Sequence, residues 1–346
     1  MGRSRRARDG DLELTSVSPG RTGPLSQPRQ ASIAQDESWC SLRAGLGVGL
    51  LPLAHADAPR PDVGWEGPVR TIAVVNRKGG SGKTTTAVSV AAALAERGLS
   101  TLLIDLDPQA SASAWLAEPS DHHGPFEAFI GTRDLESNVE KTGIPGLQVV
   151  PASPWLVEAE RTLKGQLGVG VMHALERLGQ NWAFVIIDCP PALSYLSVGA
   201  LMAAREVIIP VEAHSIALPG VAAIVGEMRR LQSTLNPALW DPLIVACRVN
   251  RTIHARRVIE QLDRVHGELL ARTTIRESIR FAEAAEARMP ITSYAPDSGA
   301  CLDYRLLAEE LVEREYLHAE HPRRVPRWRH IFGRSGRADP LERRAM

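Results

Sequence analysis

A glycine-rich segment at residues 76–86, NRKGGSGKTTT, contains the residue types that bind a nucleotide phosphate. Glycines let the backbone turn tightly and point its N–H groups at phosphate oxygens, and the N-terminus of a following helix adds positive potential. The ammonium group of Lys83 can reach the β- and γ-phosphates, and the hydroxyl of Thr84 can bind Mg²⁺. The usual GxxxxGK[ST] spacing has glycine at position 77, where this chain has arginine, and Lys78 heads the loop. The segment therefore predicts a phosphate-binding loop of a variant type.

Carboxylates follow two other apolar runs. Asp105 and Asp107 end the segment TLLIDLD, and Asp188 ends FVIID. A carboxylate placed after four apolar residues can hold Mg²⁺ through water, opposite a phosphate loop. A single aspartate at a strand end is more often a turn former or a helix cap. Two such sites in one sheet with a phosphate loop favour a magnesium–nucleotide site instead.

Short apolar runs that alternate with helical patterns must position these groups. The runs are almost continuously hydrophobic, as parallel strands buried on both faces are. Helix-length segments such as Lys83–Arg97 and Leu218–Leu235 lie between them. This alternation predicts the α/β class, with a doubly wound, mostly parallel sheet whose ligands bind beyond the carboxyl ends of the strands. The predicted strands are residues 71–76, 101–107, 147–152, 184–190, 207–213 and 242–250, with a short piece at Thr273–Ile275.

The composition is globular, but the charge is unevenly distributed. The 346 residues are 44% hydrophobic and 23% charged, which excludes wholesale disorder and collagen-like repeats. Basic and acidic residues cancel at 40 each, yet residues 1–30 hold six arginines against three acids and residues 321–346 hold eight against two. We expect residues 1–67 to be a disordered or mispredicted leader, residues 68–318 to form one folded domain, and residues 319–346 to be a basic Arg/Pro-rich tail.

The cysteine spacing and the length of the apolar runs indicate the cellular compartment of the protein. Cys40, Cys189, Cys247 and Cys301 are widely spaced and form no CxxC pair, so neither a zinc site nor a disulfide framework is readable. No stretch of eighteen apolar residues occurs, which disfavours a transmembrane helix. We expect a cytoplasmic protein with reduced thiols.

The motifs KGGSGKTT, DLDPQAS and VIIDCPPAL, in this order and spacing, resemble the ParA/MinD group of deviant Walker-A ATPases. The downstream segments LQVVPASPWL, PVEAHSIALPGV and TTIRESIRFAEAAEARMPITSY resemble the matching segments of ParA and Soj proteins, and the similarity covers roughly residues 70–316. The resemblance favours the ParA branch over MinD. It implies a P-loop ATPase fold, ATP and Mg²⁺ as cofactors, and a homodimer that forms with ATP.

The resemblance also implies roles for single residues. Lys78 corresponds to the signature lysine, which in the family reaches across the dimer to the partner's phosphates. Lys83 corresponds to the phosphate-binding lysine, and Asp107 to the carboxylate that positions the attacking water. Thr84 and Asp188 correspond to the magnesium-binding pair. The implied nucleotide site consists of Lys78, Gly79, Gly80, Ser81, Gly82, Lys83, Thr84, Thr85 and, as an adenine contact, Asn250.

The chain departs from the family pattern at two positions. Pro219 stands where the family commonly has glutamate, and Ala110 replaces the usual glycine after DPQ. Neither position belongs to the phosphate-binding segment at residues 76–86, so ATP binding is still expected.

DNA and a partner protein are the macromolecules that the resemblance implies. ParA proteins bind DNA without sequence preference in the ATP-bound dimer, and Arg280, Arg251 and Arg276 fall on or near the positions of DNA-contacting arginines. A ParB-like protein is the implied activator of slow hydrolysis, and the nucleoid the implied location. Prolines in the C-terminal tail make it a poor amphipathic helix, which disfavours a membrane anchor.

Chromosome or plasmid partition is thus the expected function. The alternative is an ATPase of the same type that positions another cargo or assists conjugation. A nitrogenase-like reductase would need a second suitably placed cysteine beside Cys189, and a scaffold without turnover is disfavoured by Asp107. A neighbouring gene for a ParB-like protein would favour partition over the alternative.

Overall fold

A computed structural model describes residues 68–117, 124–191, 193–213 and 218–319. The leader predicted at residues 1–67 lies outside the described residues, as does the tail predicted at residues 319–346 apart from Ala319, which ends a helix. The domain boundaries stay a prediction.

Within the described residues, seven strands form one sheet in the order β3-β4-β2-β5-β1-β6-β7, and all neighbours are parallel except β3 and β4. All five residues of each of the strands β2, β5 and β7 are buried, as expected of strands covered on both faces. The strands are β1 Arg70–Val74, β2 Thr101–Asp105, β3 Glu140–Lys141, β4 Leu147–Val150, β5 Phe184–Asp188, β6 Glu206–Glu212 and β7 Leu243–Cys247.

Helices cover both faces of the sheet, which confirms the doubly wound α/β prediction. One core packs Leu167, Val171 and Leu196 against one face of the sheet, and another packs Val88, Leu94 and Leu307 against the other. The helices are α1 Lys83–Glu96, α2 Ser111–Leu116, α3 Pro125–Phe129, α4 Trp155–Leu163, α5 Gly165–Glu176, α6 Tyr195–Ala203, α7 Leu218–Thr234, α8 Ile253–His266, α9 Arg280–Glu286, α10 Ile291–Tyr294 and α11 Gly299–Ala319.

The prediction of a strand at Thr273–Ile275 was wrong. This segment runs beside β7 without becoming a strand, and Ile275 N–H donates to the Ala246 carbonyl at 2.8 Å while Val249 N–H donates to the Ile275 carbonyl at 3.0 Å. The seventh strand is instead β3, a two-residue antiparallel edge strand with Glu140 and Lys141, which has no apolar run to reveal it.

The register of the central strands aligns the predicted site. In the ladders that β5 forms with β1 and β2, Asp188 pairs with Val74 and with Asp105. The phosphate loop at residues 76–86 follows β1 after one more residue, Val75. Three strand ends therefore bring the loop and the aspartates to one edge of the sheet.

Candidate active site

The phosphate loop connects β1 to α1 and owes its shape to glycine. Gly80 and Gly82 have φ angles of 74° and 91°, in the left-handed region that residues with a Cβ rarely adopt. A Cβ added at either glycine would meet no atom within 4 Å, so the requirement comes from the backbone and not from crowding. Helix α1 begins directly after Gly82, which places its N-terminus at the end of the loop.

Lys83 is the buried cation of the loop. Its side chain is only 7% exposed, and its ammonium donates to the Lys78 carbonyl oxygen at 3.4 Å. Burial lowers the pKa of Lys83, and the nearby charges of Asp188 and Asp107 oppose that shift. The lysine thus lies among the carboxylates that the sequence assigned to the same site.

Asp188 offers a carboxylate that fits a magnesium ion. It is fully buried, and neither of its oxygens receives a hydrogen bond of normal geometry from the described residues. Burial and then the charge of Asp105 raise its pKa well above the ordinary value, while the Thr84 hydroxyl and Lys83 favour the charged form. A divalent cation beside this carboxylate would compensate its buried charge, and hydroxyl and carboxylate oxygens are ligands that Mg²⁺ accepts.

The described residues contain no group of three or more His, Cys, Asp or Glu that could hold a metal ion by themselves. Mg²⁺ in nucleotide sites commonly has one or two protein ligands and takes the rest from phosphate and water. Thr84 and Asp188 are suited to that kind of site.

Asp105 supports the loop that carries Asp107. Its Oδ1 accepts from Asp107 N–H at 3.0 Å, and its Oδ2 accepts from the Ser113 N–H at 2.8 Å and the Ser113 hydroxyl at 2.7 Å. Burial raises the pKa of Asp105 to about 6, and these hydrogen bonds from Ser113 and Asp107 limit the rise. These contacts give Asp105 a structural task, which is to hold the backbone of the Asp107 loop against the start of α2.

Asp107 is mostly buried, and its Oδ1 accepts from Gln109 N–H at 3.0 Å. The next turn passes through Ala110, which has φ 54° and ψ 35° and is the residue before α2. The position where the family usually has glycine is therefore left-handed in this chain as well, and alanine occupies it at a cost.

Lys78 is tied to the end of β6 by its backbone and by its side chain. Asn76 donates to the Pro210 carbonyl at 2.6 Å and accepts from Lys78 N–H at 3.0 Å. The Lys78 ammonium donates to Glu212 at 2.5 Å. Sequence reasoning did not single out Glu212, although an acid at the end of an apolar strand is the same signal that revealed Asp188.

Asn250 lies after β7, at the same edge of the sheet as the phosphate loop. Its Oδ1 accepts from the Thr252 hydroxyl at 2.7 Å, and its Nδ2 donates to Glu277 at 3.4 Å. These contacts shape the turn before α8, for which Thr252 is the N-cap. An adenine contact by Asn250 stays a prediction.

The three arginines predicted to contact DNA have different surroundings. The Arg276 guanidinium donates two hydrogen bonds to Asp303, at 2.8 Å and 2.9 Å, and its backbone N–H donates a third at 3.0 Å, so this arginine is part of the fold. Arg280 is 54% exposed and pairs with Glu283 at 2.8 Å, and Arg251 is exposed. Arg251 and Arg280 therefore present more charge to solvent than Arg276, and DNA contact stays a prediction for all three.

A family model described as an AAA domain matches residues 69–240. The chain is 38% identical over 247 residues to the chromosome-partitioning ATPase Soj of Thermus thermophilus, covering 71% of this chain and 96% of that protein. It is 33% identical over 281 residues to the chromosome partitioning protein ParA of Myxococcus xanthus, covering 80% of this chain and 96% of the relative. This chain belongs to the ParA/Soj family. The resemblance to ParA and Soj proteins that the motifs at residues 78–85, 105–111 and 185–193 indicated is thus confirmed.

Solved structures agree with the ParA/Soj fold. A crystal structure of cobyrinic acid a,c-diamide synthase from Mycobacterium smegmatis, with a bound ATP analogue and magnesium, is similar with a TM-score of 0.62 and 29% identity. The similarity covers 75% of this chain and 98% of that one. Within the residues that the structure describes, no helix is long and apolar enough to cross a membrane.

Proposed function

We propose that this ParA/Soj family member binds Mg-ATP at the loop after β1 and hydrolyses it. The observation that carries the proposal is the buried Asp188 carboxylate, which lacks a donor of normal geometry among the described residues and lies beside Thr84 and Lys83. A buried carboxylate in this state is costly unless a cation joins it. The relatives named as partition ATPases, and the similar structure that holds an ATP analogue and magnesium, support the same assignment.

Each residue of the site would have a distinct task in the reaction. The N–H groups of the loop and the Lys83 ammonium would hold the β- and γ-phosphates, and Thr84 and Asp188 would hold Mg²⁺. The ion supplies positive charge that offsets the charge on the phosphate oxygens. Asp107 would orient the attacking water, and Asp105 would keep the Asp107 loop in place through the hydrogen bonds described above.

ATP would also control assembly. Two nucleotides that face each other across a dimer concentrate negative charge, and Lys78 is exposed enough to reach toward a partner's phosphates. A dimer doubles any basic surface of the monomer, so nonspecific DNA binding would follow from ATP binding. Hydrolysis stimulated by a ParB-like partner would then release the DNA. This cycle would take place in the cytoplasm, at the nucleoid.

The experiment is an ATPase assay on the purified full chain, with Mg²⁺ and with DNA present or absent. We expect slow magnesium-dependent turnover that rises when DNA and a co-encoded ParB-like protein are added together. Turnover without stimulation by that protein, but with stimulation by another co-encoded partner, would favour positioning of a different cargo. Absence of magnesium-dependent turnover under all conditions would contradict the proposal.

A further inference from the structure

Glu212 binds two cations at once, and one of them is Lys78. Its Oε2 accepts from the Lys78 ammonium at 2.5 Å, and its Oε1 accepts from the Arg248 guanidinium at 2.8 Å. Glu212 is 7% exposed, whereas Lys78 and Arg248 are 54% and 50% exposed. The carboxylate is therefore fixed and nearly buried at the end of β6, and the two cations approach it from solvent.

Arg248 is held in place by more than this ion pair. Its φ angle is 53°, in the left-handed region that costs a residue with a Cβ about 1 kcal/mol or more. Its guanidinium also lies 3.6 Å from a carboxylate oxygen of Glu277. The backbone after β7 is thus left-handed at the same residue whose side chain contacts both Glu212 and Glu277.

This arrangement lets Lys78 leave without exposing the fold to an unpaired buried charge. Removing the only partner of a buried carboxylate is strongly unfavourable, because the charge is left in a poorly solvated place. Glu212 keeps Arg248 when Lys78 departs, so the loss of the half-exposed Lys78–Glu212 ion pair does not leave the buried carboxylate without a cation. A stronger negative charge nearby can then draw the lysine away.

We propose that Glu212 is a positioning residue that holds the Lys78 ammonium on its own subunit until nucleotide phosphates compete for it, with Arg248 compensating Glu212 after the release. This inference rests on the proposed function, in which Lys78 contacts phosphates across an ATP dimer. It assigns Glu212 and Arg248 opposite effects on one step. Loss of the Glu212 charge removes the ion pair that holds Lys78, whereas loss of Arg248 removes a cation that competes with Lys78 for Glu212 and so strengthens the contact between Glu212 and Lys78.

The first arm of the test measures the rate at which the Lys78 amine is acylated in the absence of nucleotide. The sequence contains four lysines, and Lys141 and Lys164 are exposed, so they serve as internal references for acylation read by mass spectrometry. In Glu212→Gln we expect Lys78 to be acylated about two- to fivefold faster, the factor for loss of an ion pair with one half-exposed partner. The matched control is Glu227→Gln, which removes the same charge from the partner of neighbouring Arg77 and should leave Lys78 at the wild-type rate.

The second arm measures the Mg-ATP concentration that gives half of the protein as dimer. We expect Glu212→Gln to lower it about two- to fivefold and Arg248→Gln to raise it, with Glu227→Gln unchanged. Equal thermal unfolding of the variants confirms that the fold is intact.

The proposal is overturned if Glu212→Gln leaves the acylation of Lys78 at the wild-type rate, or if Glu212→Gln and Arg248→Gln shift dimerisation in the same direction. If the wild-type chain stays monomeric when saturated with ATP, the dimer of the proposed function is wrong. The acylation arm then still decides whether Glu212 holds Lys78.

Discussion

Asp105 and Asp188 are register partners on adjacent strands, yet the protein treats their carboxylates in opposite ways. Asp105 accepts three hydrogen bonds from the loop and helix that follow β2. Asp188 accepts none of normal geometry from the described residues and lies beside Thr84 and Lys83. One aspartate therefore organises the polypeptide, and in the proposed function the other would hold a cation.

Asp188→Asn tests how much of the ATP affinity depends on Mg²⁺ and how much on the phosphate contacts alone. The substitution keeps the shape of the side chain and removes the charge that would hold Mg²⁺, so we expect the gain in ATP affinity on adding Mg²⁺ to fall at least about tenfold, or roughly 1.4 kcal/mol. Calorimetric titration with and without Mg²⁺ measures this gain. Affinity in the absence of Mg²⁺ is the internal control and should not weaken, because a negative charge has left the site. An undiminished magnesium effect would contradict the assignment of Asp188.

Ala110→Gly should stabilise the protein. Alanine at φ 54° carries a left-handed penalty that glycine avoids, so we expect the free energy of unfolding to rise by about 1 kcal/mol. The control is Ala114→Gly in α2, an exposed helical position where the same change should lower that free energy by about 1 kcal/mol. Denaturant unfolding measures both. If Ala110→Gly lowers the free energy of unfolding as Ala114→Gly does, the backbone at residue 110 is not left-handed in solution.

Lys78→Ala and Asp107→Ala should stop the cycle at different steps. Lys78→Ala should bind ATP but fail to dimerise, because its charge is needed across the interface. Asp107→Ala should bind ATP and dimerise but hydrolyse poorly, since the attacking water loses its orienting group, and it should therefore accumulate on DNA. Size-exclusion chromatography with ATP tests both variants. An Asp107→Ala protein that stays monomeric when saturated with ATP would refute the second half of this prediction.

Arg280→Glu tests the origin of DNA binding. We expect it to lose DNA binding while ATP-dependent dimerisation persists, because an acid in the first turn of α9 is compatible with the helix. Arg161→Glu is the matched control, since Arg161 is also exposed and also pairs with a glutamate three residues away. Wild-type binding should weaken with salt by a slope of about 0.9 per phosphate contact.

A truncation at about residue 320 belongs beside the Arg280 variant, because the arginines of the tail are a rival source of charge. If the truncation alone abolishes DNA binding and Arg280→Glu has no effect, the tail binds the DNA and the surface around Arg280 does not.

The sequence predicted those parts of the structure that local pattern determines. The apolar runs predicted β1, β2 and β4 to β7, and the loop glycines predicted the turn before α1, since both signals lie within a few residues. Strand β3 was missed because Glu140 and Lys141 have no apolar pattern, and pairing with β4 alone makes them a strand. The contact of Lys78 with Glu212 joins residues 134 positions apart, which no local pattern can reveal. Thr273–Ile275 has the residue types of a strand, but its hydrogen bonds to β7 are too few to make one.

Every step of the proposed cycle requires that the loop at residues 76–86 binds the phosphates of ATP. The most direct measurement is the affinity of Lys83→Ala for Mg-ATP by calorimetry, beside the wild-type chain. Lys83 is the buried cation of the loop, and its removal leaves the loop backbone in place, so we expect tight binding to be abolished. An affinity within about threefold of wild type, a difference under roughly 0.7 kcal/mol, would contradict the assignment of the phosphate loop.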